Sequence, residues 1–156
     1  MARHAQRDFL VFEDRTYTYA GTQALALRVA AWGEAQGLKA GDVVLLLMDN
    51  RPEFLLTWLG LCKLGVTCAL LNTNLRDKSL QHCMNEAKAR LIVVGAELVP
   101  ALATVDVADM PVWVWHGDHS QARADGHPYH DLDAALACWF FFFFLLFLLF
   151  LFVLLG

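Results

Sequence analysis

Short apolar runs alternate with amphipathic stretches along the first 115 residues, and the two periods predict different elements. Residues 9–13 and 15–19 alternate apolar or aromatic with polar positions around Glu13-Asp14, the pattern of a short β-hairpin. Thr18 is placed to cap a helix over about residues 19–36, in which Leu25, Val29 and Trp32 recur at helical spacing. Gly37 supplies the stop. After a turn at Lys39-Ala40-Gly41-Asp42, residues 43–48 are continuously apolar, as a strand covered on both faces must be.

Asn50-Arg51-Pro52-Glu53 carries a strong local signal for a helix start. Asn50 is placed to accept from first-turn amides, Pro52 needs no donor there, and Glu53 can reach back as in a capping box. Phe54, Trp58, Leu61 and Cys62 then form the expected apolar stripe, with Gly65 closing the helix. Residues 66–71 read as a strand, 77–88 as a helix, and 91–94 and 111–115 as further strands. Apolar strands alternating with amphipathic helices predict an α/β fold, a mostly parallel sheet with helices on its faces. Past Trp115, four histidines, two glycines and a proline within residues 116–130 read as a surface loop, and Asp131 as the cap of a last helix.

Few groups in the sequence suit chemistry. There is no G-x-G-x-x-G, no G-x-x-x-x-G-K-[ST] and no G-x-S-x-G, so a phosphate cradle and a hydrolase elbow are both missing from these residues. His116, His119, His127 and His130, with Asp131 and Asp133, have the ligand types of a divalent-metal site, but their spacing fixes no tetrahedron and a solvated loop is preferred. His82-Cys83 are helix neighbours about 100° apart, which favours packing over a nucleophile pair. Trp113 and Trp115 read as sheet packing rather than a stacking platform. Asn72-Thr73-Asn74 lies where an open α/β sheet receives ligands; turn bonding and capping of the next helix is the preferred reading. No catalytic, cofactor-binding or metal-binding residue is assigned.

Twelve basic against sixteen acidic residues give a net charge of −4 with no basic block, which excludes nucleic acid as an expected partner. Cys62, Cys68, Cys83 and Cys138 lack C-x-x-C spacing and are expected as buried free thiols of a reducing compartment.

Several segments, in order, resemble the adenylate-forming (AMP-binding) enzymes. Arg15-Thr16-Tyr17-Thr18-Tyr19 is similar to their early threonine–tyrosine motif, and residues 38–44 to the turn into the first sheet strand. Residues 50–71 resemble their long helix–strand segment, with Lys63 and Gly65 in the lysine–x–glycine positions. Leu71-Asn72-Thr73-Asn74-Leu75-Arg76, followed by Leu80, His82 and Cys83, is closest to acyl-CoA synthetases of the fatty acid transport protein type. Gly21 departs from the pattern, standing where a capping-box glutamate is common.

The resemblance covers about residues 9–137 and implies the amino-terminal subdomain of that fold. It implies a long-chain fatty acid–CoA ligase, which activates a fatty acid with ATP to an acyl-adenylate and passes the acyl group to coenzyme A, with a role in fatty acid uptake. Fatty acid, ATP, magnesium and coenzyme A are the implied partners of the full-length family; none is expected on this chain alone. The family's phosphate loop, magnesium-binding acid, ribose-binding aspartate and mobile lysine lie beyond the matching part, so the chain is expected to be an inactive amino-terminal fragment. A non-enzymatic, membrane-anchored binding or scaffold module is the alternative.

Residues 1–137 thus form the expected domain and 138–156 a separate tail. Eight of the eleven phenylalanines lie in residues 139–156, with seven leucines. The uncharged stretch 134–156 would reach about 34 Å as a helix, enough for a hydrocarbon core of about 30 Å. A tail anchor holding the globular part on the cytosolic side and a frameshift product are both compatible with this composition; either segment prefers a bilayer to water.

Overall fold

The structure, a computed structural model, describes residues 4–107, 110–116 and 129–138. Strands β1 (Asp8–Phe12) and β2 (Arg15–Thr18) pair antiparallel as the predicted hairpin. Helix α1 (Tyr19–Ala35) comes next, capped by Thr18, whose Oγ1 accepts from the Gly21 amide at 3.1 Å. Strand β3 (Val43–Leu47), α2 (Pro52–Lys63), β4 (Thr67–Leu70), α3 (Asp77–Ala87), β5 (Leu91–Gly95), a 3-10 turn (Ala96–Leu98), α4 (Val99–Leu102), β6 (Val112–Trp115) and β7 (Tyr129–Asp131) complete the order. Residues 132–138 are helical.

The last five strands form one parallel sheet in the order β4-β3-β5-β6-β7. β3 and β5 are buried from end to end apart from the half-buried Val43, which accounts for their unbroken apolar sequence. On one face α1, α2 and 132–138 pack through Val29, Trp32, Leu56, Leu61 and Leu132; on the other, α3 and α4 pack through Leu80, Met84, Val99 and Leu102. This is the expected α/β architecture in three layers.

Both long helices on the first face end in the same device. Leu38 donates to the Gly33 carbonyl and Gly37 to that of Glu34, with Gly37 at φ +72°; Val66 donates to Leu61 and Gly65 to Cys62, with Gly65 at φ +74°. These are Schellman closures, which need a residue tolerant of the left-handed region.

Four expectations need correction. The stripe on α2 is rotated: Leu56, Thr57, Gly60 and Leu61 are buried, Phe54 only partly, Cys62 is exposed and Trp58 is 40% exposed. The cause is the α1 contact. A Cβ on Gly60 would lie 2.5 Å from that of Val29, so the smallest residue, not the largest, marks the crossing. Second, Asn50 does not cap α2; Arg51 holds that position with no side-chain bond. Third, part of the histidine-rich segment is not loop, since Tyr129–Asp131 pairs in parallel with β6. Fourth, the thiols are free but not buried: Cys62 and Cys138 are exposed, Cys68 and Cys83 intermediate.

Asp131 does cap the helical residues 132–138, its Oδ1 accepting from the Ala134 amide at 2.8 Å. The apolar tail 139–156 lies outside the described residues. Among the described residues no helix is long and apolar enough to cross a membrane.

Candidate functional site

The chain reverses its direction across the sheet between β3 and β5: β4 lies on one side of β3, and the return through α3 places β5 on the other. Such a switch point opens a crevice at the carboxyl ends of the two strands, the usual ligand position in an open α/β sheet. Here that crevice is filled by the chain's own charged groups.

Glu53 is the centre. It sits in the first turn of α2 and is 4% exposed, because it shares a face with the buried Leu56, Thr57, Gly60 and Leu61. A carboxylate so placed needs partners. Its Oε1 lies 3.4 Å from Arg15 Nη1 on β2 and 3.1 Å from His116 Nε2 just past β6. Its Oε2 faces Arg51 Nε at 3.8 Å, an ion-pair distance too long for a hydrogen bond.

Arg51 reaches further, donating through Nη2 to the Trp115 carbonyl at 3.1 Å and meeting Glu97 Oε2 at 3.2 Å. Glu97 also accepts from the Asp49 amide at 3.1 Å, tying the end of β3 to the turn after β5. Its carboxylate folds back over Gly95, where a Cβ would press on it and Glu97 would have to shift. His116 completes the set, with Nδ1 2.9 Å from Asp133 Oδ1 and its amide donating to Asp133 Oδ2 at 2.7 Å. The two ring nitrogens thus face one carboxylate each, Glu53 and Asp133. The network therefore locks β2, β3, α2, β5, β6 and 132–138 at one end of the sheet.

From sequence, Glu53 was given only the reach-back of a capping box and His116 and Asp133 a place in a solvated loop, so the network itself was missed, although one signal was available. Glu53 falls three, four, seven and eight residues before the apolar or small positions of its helix, on the face that must be buried.

The residues singled out from sequence are dispersed. Asn72 Oδ1 accepts from the Asn74 amide at 2.9 Å, a local turn bond. The expected capping of α3 does not occur, because Arg76 is its first flanking residue and the Asp77 amide donates to Thr104 Oγ1 instead. Trp113 packs edge-on against Trp32 with centroids 5.1 Å apart and stacks on His130 at 4.7 Å, so His130 serves packing. His116 pairs with carboxylates, and His119 and His127 lie outside the described residues. His82 is exposed and Cys83 half-buried on α3. Among the described residues no three His, Cys, Asp or Glu side chains gather as a metal site requires.

Among the described residues two titrations are displaced. Burial, and secondarily the neighbouring Cys62, push the Cys68 thiol up to about 12. The Lys39 amide and then the Arg90 guanidinium hold Asp42 below the ordinary carboxylate range.

The model of the AMP-binding enzyme family matches residues 1–135. The chain belongs to that family. Long-chain fatty acid transport protein 6 of Mus musculus is 39% identical over 104 residues, 66% of this chain and 17% of that protein. The medium/long-chain-fatty-acid–CoA ligase FadD6 of Mycobacterium tuberculosis is 35% identical over 102 residues, 65% of this chain and 17% of that protein. The chain thus spans about one sixth of the length of these curated relatives. A benzoate CoA ligase from Burkholderia xenovorans LB400 superimposes with a TM-score of 0.66 at 21% identity, over 72% of this chain and 23% of that one, which supports the fold alone. The AMP-binding assignment accords with the α/β architecture and with the ordered motifs along residues 9–137.

Proposed function

We propose that this chain supplies the amino-terminal subdomain of a long-chain fatty acid–CoA ligase that forms an acyl-adenylate from ATP and transfers the acyl group to coenzyme A, with fatty acid uptake as an associated role. The observation that carries the reading is the family match over residues 1–135, together with relatives that include fatty acid transport proteins and a fatty acid–CoA ligase. The Glu53 network serves this function as a clasp. It fixes the carboxyl ends of β3, β5 and β6, the edge on which an α/β enzyme builds its site.

The residues in hand do not fit ATP phosphates or magnesium. The sequence has no glycine-rich phosphate loop, and the carboxylates of the crevice are engaged by Arg15, Arg51 and His116. Those groups are held by residues other than the described ones, and the 156 residues alone do not turn over. Fatty-acid-dependent release of pyrophosphate from ATP is the direct test. Background rates are expected from the isolated chain, and sustained turnover would refute its inactivity. For the ligase reading, residues 1–135 are exchanged for the matching segment of the mycobacterial ligase. A folded chimera that retains fatty-acid–CoA ligation supports it; a folded chimera without activity counts against it.

The apolar residues 139–156 are proposed to attach the chain to membranes, since each Leu or Phe favours insertion by about 0.3–0.6 kcal/mol near a helix centre. Liposome flotation of the full chain, against one ending at Ala137, decides this: equal flotation of the two would remove the tail as the anchor.

A further inference from the structure

The two edges of the parallel sheet are not alike. β7 carries His130 and Asp131, and charge is one means by which natural sheets keep an edge unpaired. β4 has no such protection. From Leu64 to Leu75 the sequence holds no charged residue and no proline, although the chain carries a net charge of −4. The Thr67 and Leu71 amides donate to the Asp42 and Leu46 carbonyls, so the alternate residues Cys68 and Leu70 turn their backbone groups away from β3. Among the described residues no strand meets them there.

An apolar strip follows this open edge. Cys68 packs with the core on the α2 face, so Leu70, two residues on, stands on the same face, and it is 47% exposed. The exposed Trp58 lies above. It is about 200° around α2 from Gly60, the contact with α1, and so occupies the flank turned away from α1. α2 packs on β4, whereas Trp32 of α1 meets Trp113 of β6, so that flank is the one over the open edge. The level follows from Val66, which donates to Leu61. Two strand residues advance about 7 Å, or four to five helical residues at about 1.5 Å each. Cys68 therefore lies at the level of residues 56–58.

A second copy fits this edge. Its outward residues must meet outward residues, and the register that uses both has a two-fold axis at Ala69, with Cys68 of each copy opposite Leu70 of the other. No like charges are brought together, and each exposed Leu70 comes beside the other copy's Cys68, beneath its Trp58. We propose that β4 is a homodimer edge, in which two copies pair antiparallel about Ala69 and the sheet continues from one into the other. The proposal does not rest on the ligase reading.

The full chain is studied in dodecylmaltoside, to suppress association through the apolar residues 139–156. Amide hydrogen exchange of the parent is followed residue by residue. Raising the protein concentration about a hundredfold should slow Cys68 and Leu70 at least about threefold and leave β7 unchanged. Ala69→Cys reads the register. Residues opposed in a non-hydrogen-bonded pair have Cα atoms about 4.5 Å apart, within the range of about 4.4–6.8 Å that a disulfide spans. Under copper–phenanthroline and oxygen the two introduced thiols should link, as shown by peptide mass mapping, whereas those of Thr67→Cys, each opposite Leu71, should not. Leu70→Lys should abolish the concentration dependence at Cys68. The proposal is overturned if exchange at Cys68 and Leu70 in the parent does not depend on concentration, which is also what pairing with a different protein would give. Equal slowing of β7 overturns it as well. So does a folded Ala69→Cys chain that links no copies, or links them only through Cys138, since that is association by the tail. The parent measurement needs no variant and stands whatever the substitutions do to folding.

Discussion

Helices α1 and α2 lie side by side on one face of the sheet and end in the same glycine closure, yet their first turns are held differently. At α1 the tie is local: Thr18 Oγ1 accepts from the Gly21 amide three residues on, at an exposed site. At α2 no side chain caps the turn, and the buried acidic residue that could reach back is drawn instead into a part-buried network spanning residues 15 to 133. The difference arises from burial. An exposed helix start gains most from its own capping residue, whereas a carboxylate on a buried face gains more from cations arriving from other elements.

The largest effect should come from the second of these turns. Glu53→Leu removes the carboxylate that Arg15, Arg51 and His116 face. The expected loss is about 2–3 kcal/mol, the upper range for hydrogen bonds to charged groups, because Arg51 and His116 keep other partners and some water. Urea unfolding measures it. A loss below about 0.5 kcal/mol would mean that the network is decoration and that α2 is held by packing alone.

That contrast also explains what the residues disclosed beforehand. The strands with unbroken apolar runs, the Thr18 cap, and the Gly37 and Gly65 stops were legible because each depends on a few neighbouring positions. The capping box at Asn50-Arg51-Pro52-Glu53 was equally well formed as a local pattern, but Arg15 and His116, 38 and 63 residues away, compete for its glutamate. The stripe of α2 was misphased for a related reason: the partner helix presents Val29 to Gly60, and no pattern within α2 announces that. Strand β7 escaped notice because three residues hold too little periodicity, and its pairing is set by β6. Glu97 and Asp133 reach the crevice only through topology, where they meet Arg51 and His116.

A smaller effect sharpens the comparison at α1. Thr18→Ala should cost about 1 kcal/mol, the usual value for a lost cap. Gly21→Glu should go the other way by up to about 1 kcal/mol, since it replaces glycine within a helix and completes a capping box that nothing else contests. A Cβ at Gly21 meets only Thr18 Oγ1, at an ordinary 3.4 Å. Thermal unfolding of the two variants beside the parent separates these outcomes. If Gly21→Glu destabilises, α1 too is governed by something beyond its own first turn.

The smallest effect concerns a third tie, at the opposite ends of β3 and β5, where charge rather than burial is the variable. Asp42 Oδ2 accepts from the Lys39 amide at 2.7 Å and from Arg90 Nη1 at 2.9 Å, and Arg90 also donates to the Gly37 carbonyl at 2.9 Å. The turn before β3 is thereby joined to the entry of β5. These donors favour the ionised carboxylate and hold its titration below the ordinary value of 3.8. A carboxylate depressed in the folded state binds its proton more weakly there than in the unfolded chain. Its stabilisation is therefore complete above the unfolded value and disappears as the pH falls through the folded one. Asp42→Asn should be slightly less stable than the parent near neutrality, and the two urea midpoints should converge as the pH is lowered below about 3.8. A difference that stays constant from neutrality into that range would show that the turn is held by shape and not by the charge on Asp42.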